Sequence, residues 1–268
     1  MKKAIIIPAR YGSTRFPGKP LTLIAGQTML SRVVQLAQQS CAARTDTDIM
    51  VATEDARIAT HCNELGITCI MTDDDCHTGS DRVLQAAQRS DNQYDVLVSL
   101  QGDAPFTPPS AIEALLSAFD TNPLYEVVTP IVQLRWPELD ALRQAKQITP
   151  FSGTTCVVDS NGQALWFSKN IIPAIRKEEA LRKTSAFSPV HQHMGLYAYR
   201  TDILERFVSL PYGTYEELEG LEQLRLLENK ISIQTVTISV ALGMAQAGID
   251  SPEDVARAEA MLEKVASS

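Results

Sequence analysis

Apolar residues fall along this chain in short saturated runs separated by stretches of helical period, a pattern that predicts βαβ units. Ala4-Ile5-Ile6-Ile7 is the first run and has no polar face, as a strand covered on both sides requires. A helix follows over 28–40, with Thr28 as its cap. Residues 48–53 read as a second strand and 54–65 as a helix ended by Gly66 just past its C-terminus. A third strand at 67–71 and a helix over 79–89 lead to a fourth strand at 94–100, again apolar on both faces. Pro108 then opens a helix reaching 119, in the first turn where a missing N–H is tolerated.

After Asn122-Pro123 the pattern becomes richer in strands. Residues 127–132 predict a strand, 137–146 a short helix, and 154–159 with 163–167 a hairpin across Ser160-Asn161-Gly162. Residues 173–190 mix Pro, Lys, Arg, Ser and Glu and read as an exposed excursion. A strand at 191–199, an amphipathic helix at 215–229, a strand at 231–240 and a helix at 252–265 complete the series. No internal repeat or low-complexity linker interrupts it. The simplest organisation is one α/β domain over 1–268 with an inserted β-rich lobe near 133–190.

Composition narrows the class. With 268 residues, 44% hydrophobic and 21% charged, the chain has ample material for a packed core. A net charge of −8 excludes nucleic acid as a partner held through the general surface, because such binding depends on neutralising phosphates. No apolar run approaches the roughly 18–20 residues a membrane span needs. Pro8 and Arg10 cut short the one N-terminal run that resembles a signal peptide, so a cytoplasmic location is expected. Cys41, Cys62, Cys69, Cys76 and Cys156 are odd in number and contain no C-x-x-C pair, which suits free structural thiols better than zinc or disulfides.

Charge is unevenly distributed. Asp46 is the first acidic residue, and Lys2, Lys3, Arg10, Arg15, Lys19, Arg32 and Arg44 all precede it. Within that segment Pro8-Ala9-Arg10-Tyr11-Gly12-Ser13-Thr14-Arg15-Phe16-Pro17-Gly18-Lys19-Pro20 directly follows the first strand. A buried strand emptying into a Gly/Pro-rich loop with three cations is how an α/β fold receives a polyphosphate. The loop is not a Walker P-loop: its glycines are too far apart, and Pro20 replaces the hydroxyl residue that would reach magnesium.

Gln101-Gly102-Asp103-Ala104-Pro105 follows the fourth strand, where a carboxylate is placed to hold Mg²⁺ against a phosphate. A D-x-D metal motif is absent, since Pro105 stands two after Asp103. Ser251, Pro252, Glu253 and Asp254 suit the start of the closing helix, which leaves Asp250 free as a second carboxylate. Gly79-Ser80-Asp81-Arg82 opens a helix, as a plain cap or as a ligand contact. His191 and His193 share one face of a strand and read more readily as structural than as metal ligands. Asp73-Asp74-Asp75 reads as a solvated loop, and Trp136 and Trp166 as packing residues.

The loop at 8–20, Gln101-Gly102-Asp103, Phe167-Ser168-Lys169, His193-Met194-Gly195-Leu196-Tyr197, Leu221-Glu222-Gln223-Leu224-Arg225 and Ile249-Asp250-Ser251-Pro252-Glu253-Asp254 occur in that order. Together they resemble the 3-deoxy-manno-octulosonate (Kdo) cytidylyltransferases, the CMP-Kdo synthetases. The resemblance implies a mostly parallel twisted sheet of nucleotide-diphospho-sugar-transferase type, an inserted dimerisation lobe and a homodimer. It implies Mg²⁺-dependent transfer of CMP from CTP to the anomeric hydroxyl of a 3-deoxy-2-keto sugar acid, with pyrophosphate leaving, for lipopolysaccharide synthesis. By the same resemblance Ala9, Arg10, Arg15 and Lys19 hold the triphosphate end of CTP. Ser80, Arg82 and Gln101 read the nucleotide, Asp103 and Asp250 hold Mg²⁺, and Lys169, His193, Glu222 and Gln223 line the sugar-acid pocket.

Three departures fall on the acceptor side. Ala104 replaces a usual Glu, Lys169 replaces a usual Arg, and residues 150–156 lack the usual Asn and Lys. A lysine offers one point charge where arginine offers a fork of parallel bonds. The alternative expectations are the same reaction on a related acceptor, such as an 8-amino Kdo, or a noncatalytic nucleotide-binding relative.

Overall fold

Strand β1 (Lys3–Pro8) alternates Ala4 and Ile6 toward one side of the sheet with Ile5 and Ile7 toward the other, all four fully buried. That alternation requires a layer of helices on each face. The structure is a computed structural model and describes residues 1–12, 16–240, 249 and 251–266. After β1 come a small hairpin of β2 (Leu23–Ile24) and β3 (Gln27–Thr28), helix α1 (Met29–Ser40), β4 (Thr47–Thr53), α2 (Ala56–Glu64) and β5 (Thr68–Met71). Then follow α3 (Gly79–Arg89), β6 (Val96–Ser99), α4 (Pro109–Thr121), β7 (Val127–Arg135) and α5 (Trp136–Ile148). The strands β8 (Thr154–Val158) and β9 (Ala164–Ser168), helix α6 (Glu178–Thr184), β10 (Phe187–His193), β11 (Tyr197–Arg200) and α7 (Thr201–Val208) come next. The chain continues through α8 (Thr214–Glu219), α9 (Gln223–Glu228), β12 (Ile233–Thr237) and α10 (Pro252–Ala266).

One sheet runs in the order β5-β4-β1-β6-β11-β7-β10-β8-β9, with β12 also paired to β7. β5, β4, β1 and β6 are mutually parallel, and β12 is parallel to β7. The antiparallel pairs gather at the other end, from β11 to β9. Helices α1, α2 and α4 pack on the Ile5/Ile7 face through Leu30, Val33, Ile58, Ile112 and Leu116. Helices α3, α7 and α9 pack on the other through Val83, Leu84, Ile203, Phe207 and Leu224.

Local signals account for most boundaries. Thr28 Oγ1 accepts from the Ser31 amide at 3.1 Å, and Gly66 takes a left-handed φ of 65° past α2. The hairpin between β8 and β9 turns at Gly162 with φ 79°, braced by Asp159, whose carboxylate accepts from the amides of Asn161 and Gln163. Ser251 and Asp254 cap α10 reciprocally.

Four expectations change. The strand expected over 191–199 is two strands, because the chain turns at Met194-Gly195-Leu196, where the Leu196 amide donates to the Met194 carbonyl at 2.7 Å. Residues 215–229 form two short helices, broken where Gly220 adopts φ 61°. The expected exposed excursion at 173–190 contains α6 and the first half of β10, in which Ser188 and Val190 are buried while Phe187 and Pro189 face outward. The strand expected over 231–240 is confined to Ile233–Thr237. Strands β8, β9 and the start of β10, all from the 133–190 segment, extend the main sheet.

At the amino ends of the parallel strands, the Lys3 ammonium is almost sealed from water, at 1% exposure. It donates to Asp46 Oδ2 at 2.5 Å and to Asp120 Oδ1 at 2.7 Å, and Arg44 bridges the same two carboxylates. Burial alone would raise both carboxyl pKa values, but the hydrogen bonds from Lys3 and Arg44 outweigh it and hold both below the usual range. Depressed carboxyl values stabilise the fold above the unfolded-state pKa, and that stability is lost as pH falls below about 4. Asp46→Asn with Asp120→Asn should lower stability at neutral pH by up to about 3 kcal/mol, because a buried ammonium loses its partners while half-exposed carboxylates discount the loss. Thermal melts from neutral to acid pH should fall less steeply for the double variant than for the parent; parallel curves would contradict this account.

Candidate active site

The chain passes from β1 to β4 to β5 in one direction and then returns to the other side of β1 as β6. The order of strands therefore reverses between β1 and β6, and loops leaving their carboxyl ends open a crevice there. Gly102, just beyond β6, lies so close to β1 that a Cβ would sit 2.7 Å from the Pro8 carbonyl oxygen. Only glycine permits that approach.

A smaller cavity of about 160 Å³ occupies the crevice, lined by Ala9, Arg10, Lys19, Arg82, Gln101 and Asp103 among others. Lys19 is placed by Gly18, whose φ of 72° turns the loop into a short 3-10 segment. Its ammonium, 11% exposed, pairs with Asp103 Oδ2 at 2.8 Å, while the Asp103 carboxylate is 46% exposed. Helix α3 opens at Gly79 as the sequence suggested, capped by Thr78 and Asp81, and the cap turns Arg82 inward rather than to solvent. Arg82 is 1% exposed and paired with Glu54 at 2.7 Å; its Nη1 also donates to Thr72 Oγ1, and its Nη2 is buried without a partner. Glu54 accepts from the Tyr11 amide at 3.2 Å as well, so one carboxylate ties Arg82 to the 8–20 loop. Arg57 stacks over the Tyr11 ring and braces that loop from outside.

A larger cavity of about 600 Å³ continues from the first, and Gln101 and Asp103 line both. Lys169, His193, Glu222 and Gln223 line its walls, as does Tyr197. Ser80 lines neither cavity but donates to Glu222 Oε2 at 3.2 Å, linking α3 to α9. Burial raises the Glu222 pKa, partly offset by Arg225 and Ser80. The Tyr197 hydroxyl and Gln223 Nε2 are buried without hydrogen-bond partners. A buried polar atom left unpaired costs stability.

His193 has a defined protonation state. Thr129 has one hydroxyl proton and donates it to the Leu196 carbonyl at 2.8 Å, so His193 Nε2 must donate to Thr129 Oγ1 at 2.9 Å. Burial, and next the nearby Lys169 charge, lower its pKa to about 3. The ring is neutral, with Nδ1 bare. His191 shares the strand but has no part in the cavity lining. Arg15 and Asp250 lie outside the described residues; Ile249, beside Asp250, is buried and donates its amide to the Asp103 carbonyl at 3.3 Å. Among the described residues, no group of three or more His, Cys, Asp or Glu is gathered as a metal cage. Among the described residues, no helix is long and apolar enough to cross a membrane.

The cytidylyltransferase family profile matches residues 4–233. A 3-deoxy-manno-octulosonate cytidylyltransferase of Maricaulis maris is 41% identical, over 98% of this chain and 97% of that protein. The protein of the same name from Chlamydia trachomatis serovar L2 is 36% identical, over 97% of this chain and 94% of its own. A CMP:2-keto-3-deoxy-manno-octonic acid synthetase solved in complex with CTP superposes with a TM-score of 0.83 at 32% identity, over 99% of this chain and all of its own. The chain belongs to the 3-deoxy-manno-octulosonate cytidylyltransferase family. It is thus a nucleotidyltransferase by family, with a mixed α/β sheet of the matching type.

All three of this cytidylyltransferase's departures reach the larger cavity: Ala104 and Lys169 stand on its walls, and so do Ser152, Gly153 and Thr154 of the 150–156 segment. Glu54 and Tyr197 escaped the sequence reading. Glu54 directly follows the parallel strand β4, which is itself a signal of a crevice position. Tyr197 follows the turn at 194–196, and an unbroken strand could not reveal where its hydroxyl ends. Nitrogen-15 NMR of the histidines should show His193 neutral and protonated at Nε2, with no titration between about pH 5 and 8. An inflection in that range would contradict the sealed geometry described for this ring.

Proposed function

We propose that this protein transfers CMP from CTP to the anomeric hydroxyl of Kdo, releasing pyrophosphate, as a Mg²⁺-dependent cytoplasmic step of lipopolysaccharide synthesis. The observation that carries the reading is the meeting of the two cavities at Gln101 and Asp103. A triphosphate in the smaller cavity and a sugar acid in the larger would bring α-phosphorus and acceptor hydroxyl together beside one half-exposed carboxylate. Proximity of that kind is the main resource of phosphoryl-type transfer, which needs no protein nucleophile.

Arg10 and Lys19 supply positive charge to the departing phosphates. Without ligand Lys19 is neutralised by Asp103; an entering triphosphate competes for the ammonium and frees the carboxylate. Arg82, buried and with both N–H groups of its Nη2 unpaired, presents donors to the nucleotide. Lys169 offers its charge to the sugar carboxylate, while Gln223, Tyr197 and the bare nitrogen of His193 offer donors and an acceptor to its hydroxyls. Asp103 suits Mg²⁺, which takes a few carboxylates and otherwise phosphate oxygens and water, and Asp250 is the second ligand in this reading. When bound, Mg²⁺ lowers the pKa of a coordinated hydroxyl and offsets phosphate charge.

A homodimer is part of the reading. Ile148 and Phe151, at 86% and 77% exposure, present apolar surface on the 133–190 lobe. Sedimentation velocity should give a dimer, and a monomer at micromolar concentration would remove this element.

The decisive assay is pyrophosphate release with CTP, Mg²⁺ and a panel of Kdo, 8-amino Kdo and sialic acids, with ATP, GTP and UTP as controls. CTP-specific release with Kdo is expected. Asp103→Asn should lower kcat at least about 100-fold while CTP affinity stays within about tenfold. Turnover like the parent's in that variant would take Asp103 out of the reaction.

A further inference from the structure

Helix α5 ends against the rim of the larger cavity, and its last turn carries Lys146. The ammonium is surrounded by backbone carbonyls from outside its own helix. It donates to Ser152 O at 2.5 Å, Gly153 O at 2.9 Å, Lys169 O at 2.5 Å and, more weakly, Pro150 O at 3.3 Å. Burial, followed by repulsion from Lys169, lowers its pKa, so the two lysine charges feel each other. Ser152, Gly153 and Lys169 line the cavity, whereas Lys146 does not. An ordinary helix-end lysine satisfies the last carbonyls of its own helix. This one joins two separate walls, the loop entering β8 and the end of β9.

We infer that Lys146 is a positioning residue for the acceptor pocket: it clamps the 150–153 loop to the strand end that carries Lys169 and so fixes the distance between those walls. The inference rests on the functional reading above. Glu219 holds the other side of the same strand end, accepting from the Lys169 amide and the Ser168 hydroxyl, each at 2.8 Å. The Lys169 backbone is thus pinned through both its N–H and its C=O. A flexible four-carbon side chain whose backbone is held twice delivers its charge to a smaller volume, which offsets the lack of an arginine fork. The clamp also accounts for how residues 150–156 keep a defined path without the Asn and Lys usual there.

The test is steady-state kinetics of the full-length protein with each substrate varied in turn. Lys146→Met should raise the KM for the sugar acid about tenfold and leave the KM for CTP within about twofold, because only the acceptor walls lose their register. Lys146→Arg, which keeps the charge and several donors, should recover much of the loss. A folded Met variant with an unchanged acceptor KM would overturn the inference, as would equal rises in both KM values, which signal general loosening. If the Met variant does not fold, Lys146→Gln and Lys146→Arg decide: an acceptor KM rising from Lys to Arg to Gln supports the clamp, and equal values overturn it. If the parent releases no pyrophosphate with any sugar acid, the functional reading fails first and this inference falls with it.

Discussion

Gly102 meets the Pro8 carbonyl at a distance that leaves no room for a side chain, and that contact sets where chemistry can occur in this protein. It holds together the two loops that leave the adjacent parallel strands β1 and β6. The β1 loop carries the cations and the β6 loop carries Gln101 and Asp103. Because the backbones touch, Lys19 reaches Asp103 directly, and the cavity on each side shares the same two residues as its boundary. A methyl group at 102 would force the strand ends apart and move the ion pair, the Glu54 tie to Tyr11 and the junction of the cavities together. Overpacking a site this tight costs about 1–3 kcal/mol, which here would appear as displaced ligand groups.

Electrostatics follow from that geometry. The chain carries a net charge of −8, yet its first forty-five residues hold no carboxylate. The basic loop is therefore an island whose Lys19 is neutralised locally by Asp103, as Arg82 on the neighbouring α3 is by Glu54. Such pairs keep cations in place without collapsing the site. They also make anion binding an exchange of partners rather than a simple gain of charge, so the desolvation cost of burying Lys19 and Arg82 is met at folding and not at binding.

What could be read from sequence was governed by how local the physics is. β1 and β6 were visible because complete burial leaves uninterrupted apolar runs, β4 because Ile49 to Ala52 form such a run within it, and α1, α3 and α10 because their caps lie within a few residues of their starts. Arg10, Lys19, Gln101 and Asp103 were legible because they follow strands directly, and the structure gathers them at one crevice. The break at Gly220 was less visible, since a glycine inside an apolar period does not announce a left-handed turn. The turn at 194–196 depends on β11 pairing with β6 and β7 while β10 pairs with β7 and β8. Arg82 was expected at a helix start, yet its burial depends on Glu54, twenty-eight positions away. Lys146 carried no signal, because its partners are carbonyls that every residue possesses.

The acceptor cavity poses the sharper physical problem. Among the described residues lining it, Lys169 alone carries a fixed positive charge, against Asp103 and Glu222, and His193 is neutral. A sugar carboxylate entering there meets more negative than positive charge unless one of the acids is silenced. Burial does this in part, since it raises the Glu222 pKa and so makes the protonated form easier to reach. Asp103 is engaged by Lys19 until a triphosphate claims that ammonium. Selectivity for a carboxylate therefore rests on the placement of a single ammonium rather than on the amount of charge. A point charge is effective in proportion to how well its origin is held, which is why the backbone at 169 matters as much as the side chain that replaces arginine.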